Sequence, residues 1–160
     1  MAVSKDEFRR VMGLFATGVT VITSRLDGEH FGMTANAVTS VSLEPMLFLV
    51  CVDHSATTHE AIAGSGVFAV NILSEEQEEL SRRFATKRQL SENQMEGVAY
   101  HLSGGGCPIL DGCLAFLDCR VADTCAGGDH TIFLGEVEEA GVYAEGRPLL
   151  FYRSRYAKLA

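Results

Sequence analysis

The chain has 160 residues, of which 47% are hydrophobic and 21% are charged, and its formal net charge is −8 at pH 7. This composition is typical of a globular domain with a hydrophobic core, and the acidic charge argues against general nucleic-acid binding, which needs a basic surface. No apolar run approaches the roughly 20 residues that span a bilayer, and the N-terminus lacks the apolar region of a signal peptide, so we expect a single cytoplasmic domain over residues 1–160.

An amphipathic helix is predicted at the start of the chain. Ser4 and Glu7 have the spacing of a capping box, in which the serine caps the helix and the glutamate reaches back to it. Apolar side chains follow at helical spacing from Phe8 to Phe15. The helix is therefore expected to end near Thr17-Gly18.

Two strands joined by a hairpin turn are predicted next. The segment Val19–Arg25 is rich in β-branched residues and alternates in polarity, which is typical of a strand. Asp27-Gly28 is a strong signal for a two-residue turn. The second strand is expected to run from about His30 into Thr34.

The stretch Gly32–Pro45 is unusually polar for its place between two apolar segments. Its hydroxyl and amide side chains are those of Thr34, Asn36, Thr39, Ser40 and Ser42. Only Glu44 is charged, whereas a surface loop of this length normally carries more charge and a core strand fewer hydroxyls. We therefore expect part of this stretch to hydrogen-bond to a ligand.

After Pro45, short apolar segments alternate with helical patterns. The run Met46–Val52 predicts a buried strand, and Thr57 or Thr58 is expected to cap a short helix that glycine ends. Residues 67–73 predict another strand. Ser74 precedes a helix over residues 75–85, in which acidic residues lead and basic residues trail, as the helix dipole favours.

The second half of the chain is predicted to be mostly strand. Residues 86–106 lack periodicity and predict a long surface loop. Strands are expected over Leu114–Ala122, His130–Ala140 and Leu149–Tyr152, the first two joined by a turn at Cys125–Asp129. Six or seven strands with few helices between them favour a mainly β fold, an antiparallel barrel with helices at its margins, because parallel strands would need helical crossovers.

The five cysteines are expected to be reduced thiols, most of them packed in the core. Four of them, Cys107, Cys113, Cys119 and Cys125, recur every six residues. Six residues of strand cover roughly 20 Å, and zinc sites normally use close pairs of ligands, so we predict no metal site.

The sequence contains none of the usual catalytic signatures. There is no nucleophile elbow, no H-E-x-x-H zinc motif, no Walker lysine motif and no G-x-G-x-x-G after a strand. Gly104–Gly106 is better interpreted as a flexible loop than as a phosphate site, since no cation or helix cap follows it.

Polar segments at the ends of apolar strands remain as the candidate site. They are Thr34–Ser42, Asp53–Thr57, Ser81–Phe84 and Gly128–His130. Hydroxyls and turn amides can hold a phosphate even in an acidic protein. They also suit a neutral ring system with many acceptors. Together, these segments provide the contacts that a flavin nucleotide needs.

The sequence resembles the flavin reductase-like family, the short-chain reductases of two-component flavin monooxygenases, over nearly the whole chain. The resemblance rests on the segments ATGVTVIT, GMTANAVTSVSLEP, LVCVDHSATTHEAI, FAVNIL and GDHTIFLGEV, in this order and spacing. It implies a split β-barrel of the FMN-binding, Greek-key type that forms a homodimer. It also implies hydride transfer from NADH or NADPH to FMN or FAD, and delivery of the reduced flavin to a partner monooxygenase.

The resemblance also implies a set of site residues. His130 of the G-D-H motif corresponds to the residue beside the nicotinamide and is the expected catalytic residue, and Ser40, Ser55 and Thr57 resemble ribityl and phosphate contacts. The cofactor contacts implied in full are Thr34, Ala35, Asn36, Ala37, Ser40, Cys51, Ser55, Thr57, Ser81, Arg82, Phe84, Gly128, Asp129, His130, Arg153 and Tyr156.

Two departures from the family pattern leave the preferred flavin open. Ala37 stands where serine is common, and Asp53-His54 stands where many relatives have a basic residue or asparagine near the phosphate. A carboxylate close to a phosphate costs electrostatic energy, so FMN and FAD remain alternatives. No pocket for a 2′-phosphate can be identified from the sequence, which favours NADH.

Several of these residues also have purely structural interpretations. His130 suits the start of a strand, Asn71 suits a buried and satisfied amide, and Phe84 suits the core face of a helix. Four arginines also suit exposed charges or a helix C-terminus, namely Arg82, Arg83, Arg153 and Arg155.

Two further functions remain as alternatives to a reductase. One is an FMN-binding electron carrier or sensor without nicotinamide turnover. The other is a barrel of the same shape that binds a different ligand, such as haem, or serves as a dimeric scaffold. The haem attachment motif C-x-x-C-H is absent, and the polar strand ends favour flavin.

Overall fold

A computed structural model describes residues 2–87 and 93–160. The helices among them are α1 (Lys5–Gly13), α2 (Thr57–Ser65) and α3 (Glu78–Ala85). The strands of the first half are β1 (Thr17–Gly18), β2 (Thr20–Leu26), β3 (Glu29–Ala35), β4 (Val38–Leu43), β5 (Met46–Asp53) and β6 (Val67–Ile72). Those of the second half are β7 (Tyr100–Leu102), β8 (Pro108–Leu110), β9 (Ala115–Gly127), β10 (His130–Val142), β11 (Leu150–Tyr152) and β12 (Arg155–Ala157).

Seven strands form one antiparallel sheet in the order β3-β2-β6-β9-β10-β5-β4. Its two edge strands, β3 and β4, are consecutive in the chain and are joined only by Asn36 and Ala37. In a flat sheet these edges would lie roughly 29 Å apart, at about 4.8 Å per strand. The sheet must therefore curl so that the end of β3 approaches the start of β4. At this link the Cys51 N–H of β5 donates to the Ala37 carbonyl at 3.0 Å, which continues the pairing of β4 with β5.

Two hydrophobic clusters support this sheet. The first lies on its concave side, where Ile22, Val50, Phe68 and Phe133 are buried with α2 against them through Ile62. The second joins the sheet to α3, the C-terminal strands and the segment after residue 93, and it contains Val21, Leu73, Phe84, Met95, Leu110 and Leu149. The second cluster holds α3 against the end of β3, which positions one wall of the site.

A small separate sheet of β1, β11 and β12 lies beside this second cluster. Thr17 and Gly18 pair with Phe151 and Leu150, so the chain entering the main sheet is tied to the C-terminal hairpin. This pairing explains why α1 ends at Gly13 and not near Thr17-Gly18 as predicted. The capping serine is confirmed, since the Glu7 N–H donates to Ser4 Oγ at 3.1 Å.

The predicted mainly β fold is confirmed, and most strands lie where the sequence predicted them. The Asp27-Gly28 turn has positive φ at both residues, as a type I′ hairpin requires. Strands β9 and β10 extend further than predicted, because Gly127 pairs directly with His130. The turn between them is therefore the two residues Gly128-Asp129, and Cys125 belongs to the strand.

Three further local predictions were wrong. The loop predicted over residues 86–106 contains strand β7, which pairs with β8, although residues 88–92 of that loop lie outside the described part of the chain. Helix α2 follows Ala56 and has no side-chain cap, so Thr57 and Thr58 are its first residues and not its cap. Helix α3 begins at Glu78, because Gln77 Oε1 accepts from the Ser74 N–H at 3.0 Å and holds a turn before it.

The interpretation of the cysteines as core thiols holds for three of the five. Cys107, Cys113 and Cys119 are buried, while Cys51 is half-buried and Cys125 exposed. Burial raises the pKa of Cys107 and Cys119 to about 12 and that of Cys113 to about 11, so these thiols stay protonated.

No helix in residues 2–87 and 93–160 has both the length and the apolar character needed to cross a bilayer.

Candidate functional site

A cavity of about 300 Å³ opens where the curled sheet meets α2, α3 and the small sheet. The end of β3 forms its floor, the turn before α2 and the last turn of α3 form two walls, and the β11–β12 hairpin closes a fourth side through Phe151 and Tyr156. Small-molecule sites in proteins begin at about this volume and are mostly apolar with a few placed polar groups. The cavity is therefore a candidate ligand site.

A chain of hydrogen bonds runs along one wall and joins three parts of the chain. The Thr34 hydroxyl on β3 donates to the Ser81 carbonyl at 2.5 Å, and Ser81 Oγ lies 2.6 Å from the Tyr156 hydroxyl. Ser81 is fully buried, so its hydroxyl depends on Tyr156 for a partner. Each hydroxyl keeps lone pairs that can accept from a ligand, and the chain fixes β3, α3 and the C-terminal hairpin relative to one another.

The apolar part of the floor depends on a close approach between Gly32 and Phe84. Phe84 is 3% exposed and lines the cavity. A Cβ atom added at Gly32 would lie 2.9 Å from two carbons of the Phe84 ring, closer than carbon atoms normally approach. Glycine at position 32 therefore lets the ring approach β3 closely. On the opposite side, the rings of Phe151 and Tyr156 meet edge to face, with centroids 5.4 Å apart.

The other end of the cavity is charged. Asp53 Oδ1 accepts from both the backbone N–H and the hydroxyl of Ser55, each at 2.7 Å, and Lys87 Nζ donates to Ser55 Oγ at 3.1 Å. The hydrogen bonds from Ser55 lower the pKa of the half-buried Asp53 carboxyl below its ordinary value, so it is ionised at neutral pH.

Helix α2 begins at this charged end. Its N-cap, Ala56, offers no side-chain acceptor to the first-turn amides, which therefore keep their positive partial charge. Thr58, in the first turn, is 1% exposed and lines the cavity. Its hydroxyl oxygen is buried and has no hydrogen-bond partner among the described residues. Native proteins rarely leave a buried hydroxyl unpaired unless a ligand or water satisfies it.

The G-D-H motif lies beside the mouth of the cavity. His130 opens β10 and pairs with Asp53 across β5, and the His54 N–H donates to the Asp129 carbonyl at 3.0 Å. His130 Nδ1 lies 2.7 Å from Asp129 Oδ1, a contact that lowers the pKa of the Asp129 carboxyl. The imidazole is half-buried, and its orientation is fixed by this contact with its neighbour.

Half of the site residues implied by the resemblance line the cavity. They are Thr34, Ala35, Asn36, Ser55, Thr57, Ser81, Phe84 and Tyr156. They come from β3, the turn before α2, α3 and the C-terminal hairpin, segments that are far apart in the sequence. The described structure therefore brings together four of the polar or C-terminal segments that the sequence singled out.

The remaining implied residues lie outside the cavity walls. Ala37 and Cys51 meet through a backbone hydrogen bond in the main sheet, and Ser40 is exposed on the edge strand β4. Gly128, Asp129 and His130 lie at the mouth as described above. Arg153 lies in a separate surface recess near the end of α1, because it forms the tip of the β11–β12 hairpin.

The arginines and the buried amide have mainly structural contacts. Arg82 pairs with Glu78 at 2.7 Å, and its guanidinium lies 4.8 Å from the centre of the Tyr156 ring, so it supports the cavity wall from outside. Arg83 donates to the Gln94 and Glu96 carbonyls and anchors the segment after residue 93. Asn71 is fully buried, and its amide oxygen accepts from the Leu110 N–H at 2.8 Å.

Several cavity residues are not among the predicted site residues, and three of them have polar side chains of particular interest. Gln94 accepts from the Gly32 N–H at 3.3 Å, Lys87 donates to Ser55, and Thr58 lies in the cavity wall with a buried hydroxyl that has no partner among the described residues. A helix cap had been predicted for Thr58, which concealed its position in the wall. Lys87 follows Phe84 by three residues, and that spacing from a predicted site residue was the one available signal.

Comparison with known proteins gives a consistent result. The sequence profile described as "Flavin reductase like domain" matches residues 12–160. The chain is 39% identical over 160 residues to a flavin reductase of Pseudomonas putida, covering 99% of this chain and 92% of the relative. It is 39% identical over 155 residues to the reductase subunit HsaB of a flavin-dependent monooxygenase from Rhodococcus jostii, covering 97% of this chain and 78% of the relative.

The fold agrees with that of solved flavin reductases. The NADH:FAD oxidoreductase of Streptomyces globisporus C-1027 superposes with a TM-score of 0.93 at 40% identity, covering 100% of this chain and 97% of the other. A second structure of that enzyme is described as a complex with NAD and FAD fragments.

Proposed function

The chain belongs to the flavin reductase-like family, and on this premise we propose that it oxidises NADH, reduces a flavin and passes the reduced flavin to a partner monooxygenase. The observation that carries this proposal is the cavity between the end of β3, helices α2 and α3 and the β11–β12 hairpin. Its apolar floor at Phe84 suits the face of a flavin ring, and the Thr34–Ser81–Tyr156 chain offers acceptors along one edge.

The residues present fit a flavin nucleotide at both ends of the cavity. The neutral end, around Tyr156, contains aromatic rings and hydroxyls, which suit the isoalloxazine ring. The charged end contains the start of α2, Lys87 and the unpaired Thr58 hydroxyl, which suit the phosphorylated tail. When both nucleotides are bound, the nicotinamide supplies a hydride that the flavin accepts.

The contribution of the chain to this reaction is positioning. Holding two rings in contact, in a pocket that excludes water, lowers the barrier without acid–base groups of unusual strength. We propose that His130 contacts the nicotinamide, because it lies beside Asp53 at the cavity mouth with its ring fixed by Asp129. NADH is the proposed donor, as in the NADH-dependent relative from Streptomyces globisporus.

A homodimer is also part of the proposal. Helix α1 buries none of its residues, and Phe8 and Phe15 are 62% and 70% exposed. Leu43, at the end of edge strand β4, is 91% exposed. Exposed apolar side chains in such number mark a contact surface, and a second copy of the chain is its proposed occupant. Light scattering should give twice the chain mass; a single chain mass at micromolar concentration would contradict the dimer.

The proposed compartment is the cytoplasm. All five cysteines are free thiols, and a reducing compartment keeps thiols in this state.

The decisive experiment follows NADH oxidation by the purified protein at its near-ultraviolet absorbance, with riboflavin, FMN or FAD added in turn. Turnover that depends on added flavin is expected, and the three rates rank the flavins. A protein that stays yellow after dialysis and oxidises neither NADH nor NADPH would instead be an electron carrier or sensor. Replacing NADH by NADPH in the same assay tests the donor.

A further inference from the structure

Two contacts tie the start of helix α2 to the strand that begins at His130. Just before the helix, the His54 N–H donates to the Asp129 carbonyl at 3.0 Å. From the helix itself, His59 Nε2 lies 2.8 Å from the Thr131 hydroxyl oxygen, in a hydrogen bond between two half-buried side chains. Thr131 directly follows His130 in β10, so the second contact holds the neighbour of the residue that is proposed to contact the nicotinamide.

The His59 ring is held in place on two further sides. Its centroid lies 5.4 Å from that of the buried Phe133 ring and 5.3 Å from that of His54, which it meets edge to face. Thr131 and Phe133 are alternate residues of β10, so their side chains project from the same side of the sheet. The imidazole therefore packs on one residue of the strand and hydrogen-bonds to another. Threonine is stiff at its first side-chain torsion, so its hydroxyl cannot easily follow a displaced partner.

His59 lies between the two parts of the proposed site and is not itself part of the cavity wall. Its neighbours Thr57 and Thr58, in the same first turn of α2, do line the cavity. A link from this helix to β10 therefore sets the place of His130 relative to a ligand in the cavity. A misplacement of about 1 Å between reacting groups can cost roughly 100-fold in rate. Such a link matters for the reaction even though it touches neither substrate.

Building on the proposed function, we propose that His59 is a positioning residue. Through its hydrogen bond with Thr131 it joins α2, which borders the flavin cavity, to the strand that carries His130. The contact with Asp129 orients the His130 ring, and the bond from His59 fixes the start of the strand on which that ring is mounted. Loss of the bond should therefore impair the use of NADH and leave flavin affinity unchanged.

The first test compares two amides at position 59. In His59→Gln the amide group takes the place of imidazole Nε2, whereas in His59→Asn it ends at the place of Nδ1 and is too short to reach Thr131. His59→Asn should lower kcat/KM for NADH by roughly 3- to 10-fold, the scale of one lost hydrogen bond, and His59→Gln should restore most of it. Glu60→Ala, which changes the next and exposed residue of the same helix, is the control and should leave kcat/KM unchanged. Equal rates for the two amide variants would overturn the proposal.

The second test removes the bond from its other side. Thr131→Val has the same shape and no hydroxyl, and it should cause the same loss in kcat/KM as His59→Asn. The double variant should be no slower than either single variant, because both substitutions remove one shared bond. Thr131→Ser keeps the hydroxyl and should keep the rate. Losses that multiply in the double variant would show that the two residues act independently, which contradicts the proposal.

The third test separates positioning from general support of the fold. The FMN dissociation constant, measured by fluorescence quenching, should change by less than about twofold in His59→Asn, because no flavin contact is removed. If His59 only supported the fold, FMN binding would weaken as much as the use of NADH. That result would overturn the proposal, as would wild-type kinetics with NADH in His59→Asn.

Hydrogen–deuterium exchange gives a readout that needs no turnover. The backbone amides of residues 128–133 should exchange faster in His59→Asn and Thr131→Val than in the wild type and His59→Gln. Unchanged exchange in the first two variants would contradict the link between α2 and β10. Failure of the wild type to oxidise NADH with any flavin would instead contradict the proposed function, and the exchange rates would still show whether His59 holds the start of β10.

Discussion

The two ends of the cavity solve different recognition problems with different chemistry. At the Tyr156 end, neutral hydroxyls and aromatic rings from three elements are joined by short hydrogen bonds. At the Lys87 end, a carboxylate, a hydroxyl and an ammonium form a charged chain beside an uncapped helix. Binding at the neutral end is therefore expected to depend on the shape and the ring edge of the ligand. Binding at the charged end is expected to depend on the number of phosphates that the ligand carries.

The largest expected effect comes from closing the neutral end. Gly32→Val should push the Phe84 ring away from β3, because even a Cβ atom at this position lies 2.9 Å from the ring. Overpacking of about 1–3 kcal/mol predicts a loss of roughly 5- to 150-fold in the binding of riboflavin, FMN and FAD alike. Fluorescence titration measures the loss for each flavin.

Gly18→Val is the matched control for this variant, because a Cβ atom at Gly18 meets nothing within 4 Å. It should bind all three flavins as the wild type does. A loss in Gly32→Val that spared riboflavin would contradict the distinction between the two ends.

The second largest effect distinguishes contacts with the nicotinamide from contacts with the flavin. His130→Ala should raise the NADH KM or lower kcat by about 10-fold, the scale of one lost contact with a polar group, and change flavin affinity less. Steady-state rates at varied NADH measure this split. His101→Ala, which removes an exposed histidine bonded to Tyr143, is the control and should leave both constants unchanged. Equal losses of flavin and NADH affinity in His130→Ala would contradict the assignment.

A smaller effect is expected from the hydroxyl chain. Tyr156→Phe leaves the buried Ser81 hydroxyl without the partner at 2.6 Å, which costs about 1 kcal/mol, or roughly fivefold in flavin affinity. The loss should be the same for riboflavin and FMN, and it should add to the loss that Lys87→Met causes at the charged end, since the two ends share no contact. Strong coupling in the double variant would show that the ends act as one unit.

The smallest effects test which part of the polar stretch Gly32–Pro45 contacts the flavin. Thr34→Val should weaken flavin binding by roughly threefold, since one hydroxyl contact is lost, without unfolding the protein. Ser40→Ala, on the exposed strand β4 outside the cavity walls, should leave affinity unchanged. If flavin titrations showed a larger loss of affinity for Ser40→Ala than for Thr34→Val, the ligand would have to contact β4 and not β3.

Most of the fold could be predicted from the sequence, because the strongest sequence signals are local. Alternation in Val19–Arg25 and the Asp27-Gly28 turn determine a hairpin without help from distant residues. The end of α1 could not be predicted in this way, because Thr17 and Gly18 pair with strand β11, more than a hundred residues later. Strand β7 escaped prediction for a different reason: its partner β8 is close in the sequence, but its own three residues are too few to show a periodicity.

The candidate site shows the same limit more sharply. Thr34, Ser81 and Tyr156 were found because they lie in segments that resemble the family. Thr58 and Lys87, which line the cavity, were not predicted, because their position in its wall depends on the folded arrangement and the spacing of the sequence does not record it. Ser55 was found, but its single hydrogen is used by Asp53, which only the three-dimensional arrangement shows.

The two-residue link between the edge strands has a consequence for folding. Asn36 lines the cavity and also belongs to the connection that brings the first and last strands of the sheet together. The cavity wall at Asn36 therefore depends on both edge strands of the sheet remaining in place. A ligand that binds only the closed state at 100 times its dissociation constant stabilises that state by about 2.7 kcal/mol. A flavin bound in this cavity would therefore stabilise the closed arrangement of the sheet against unfolding.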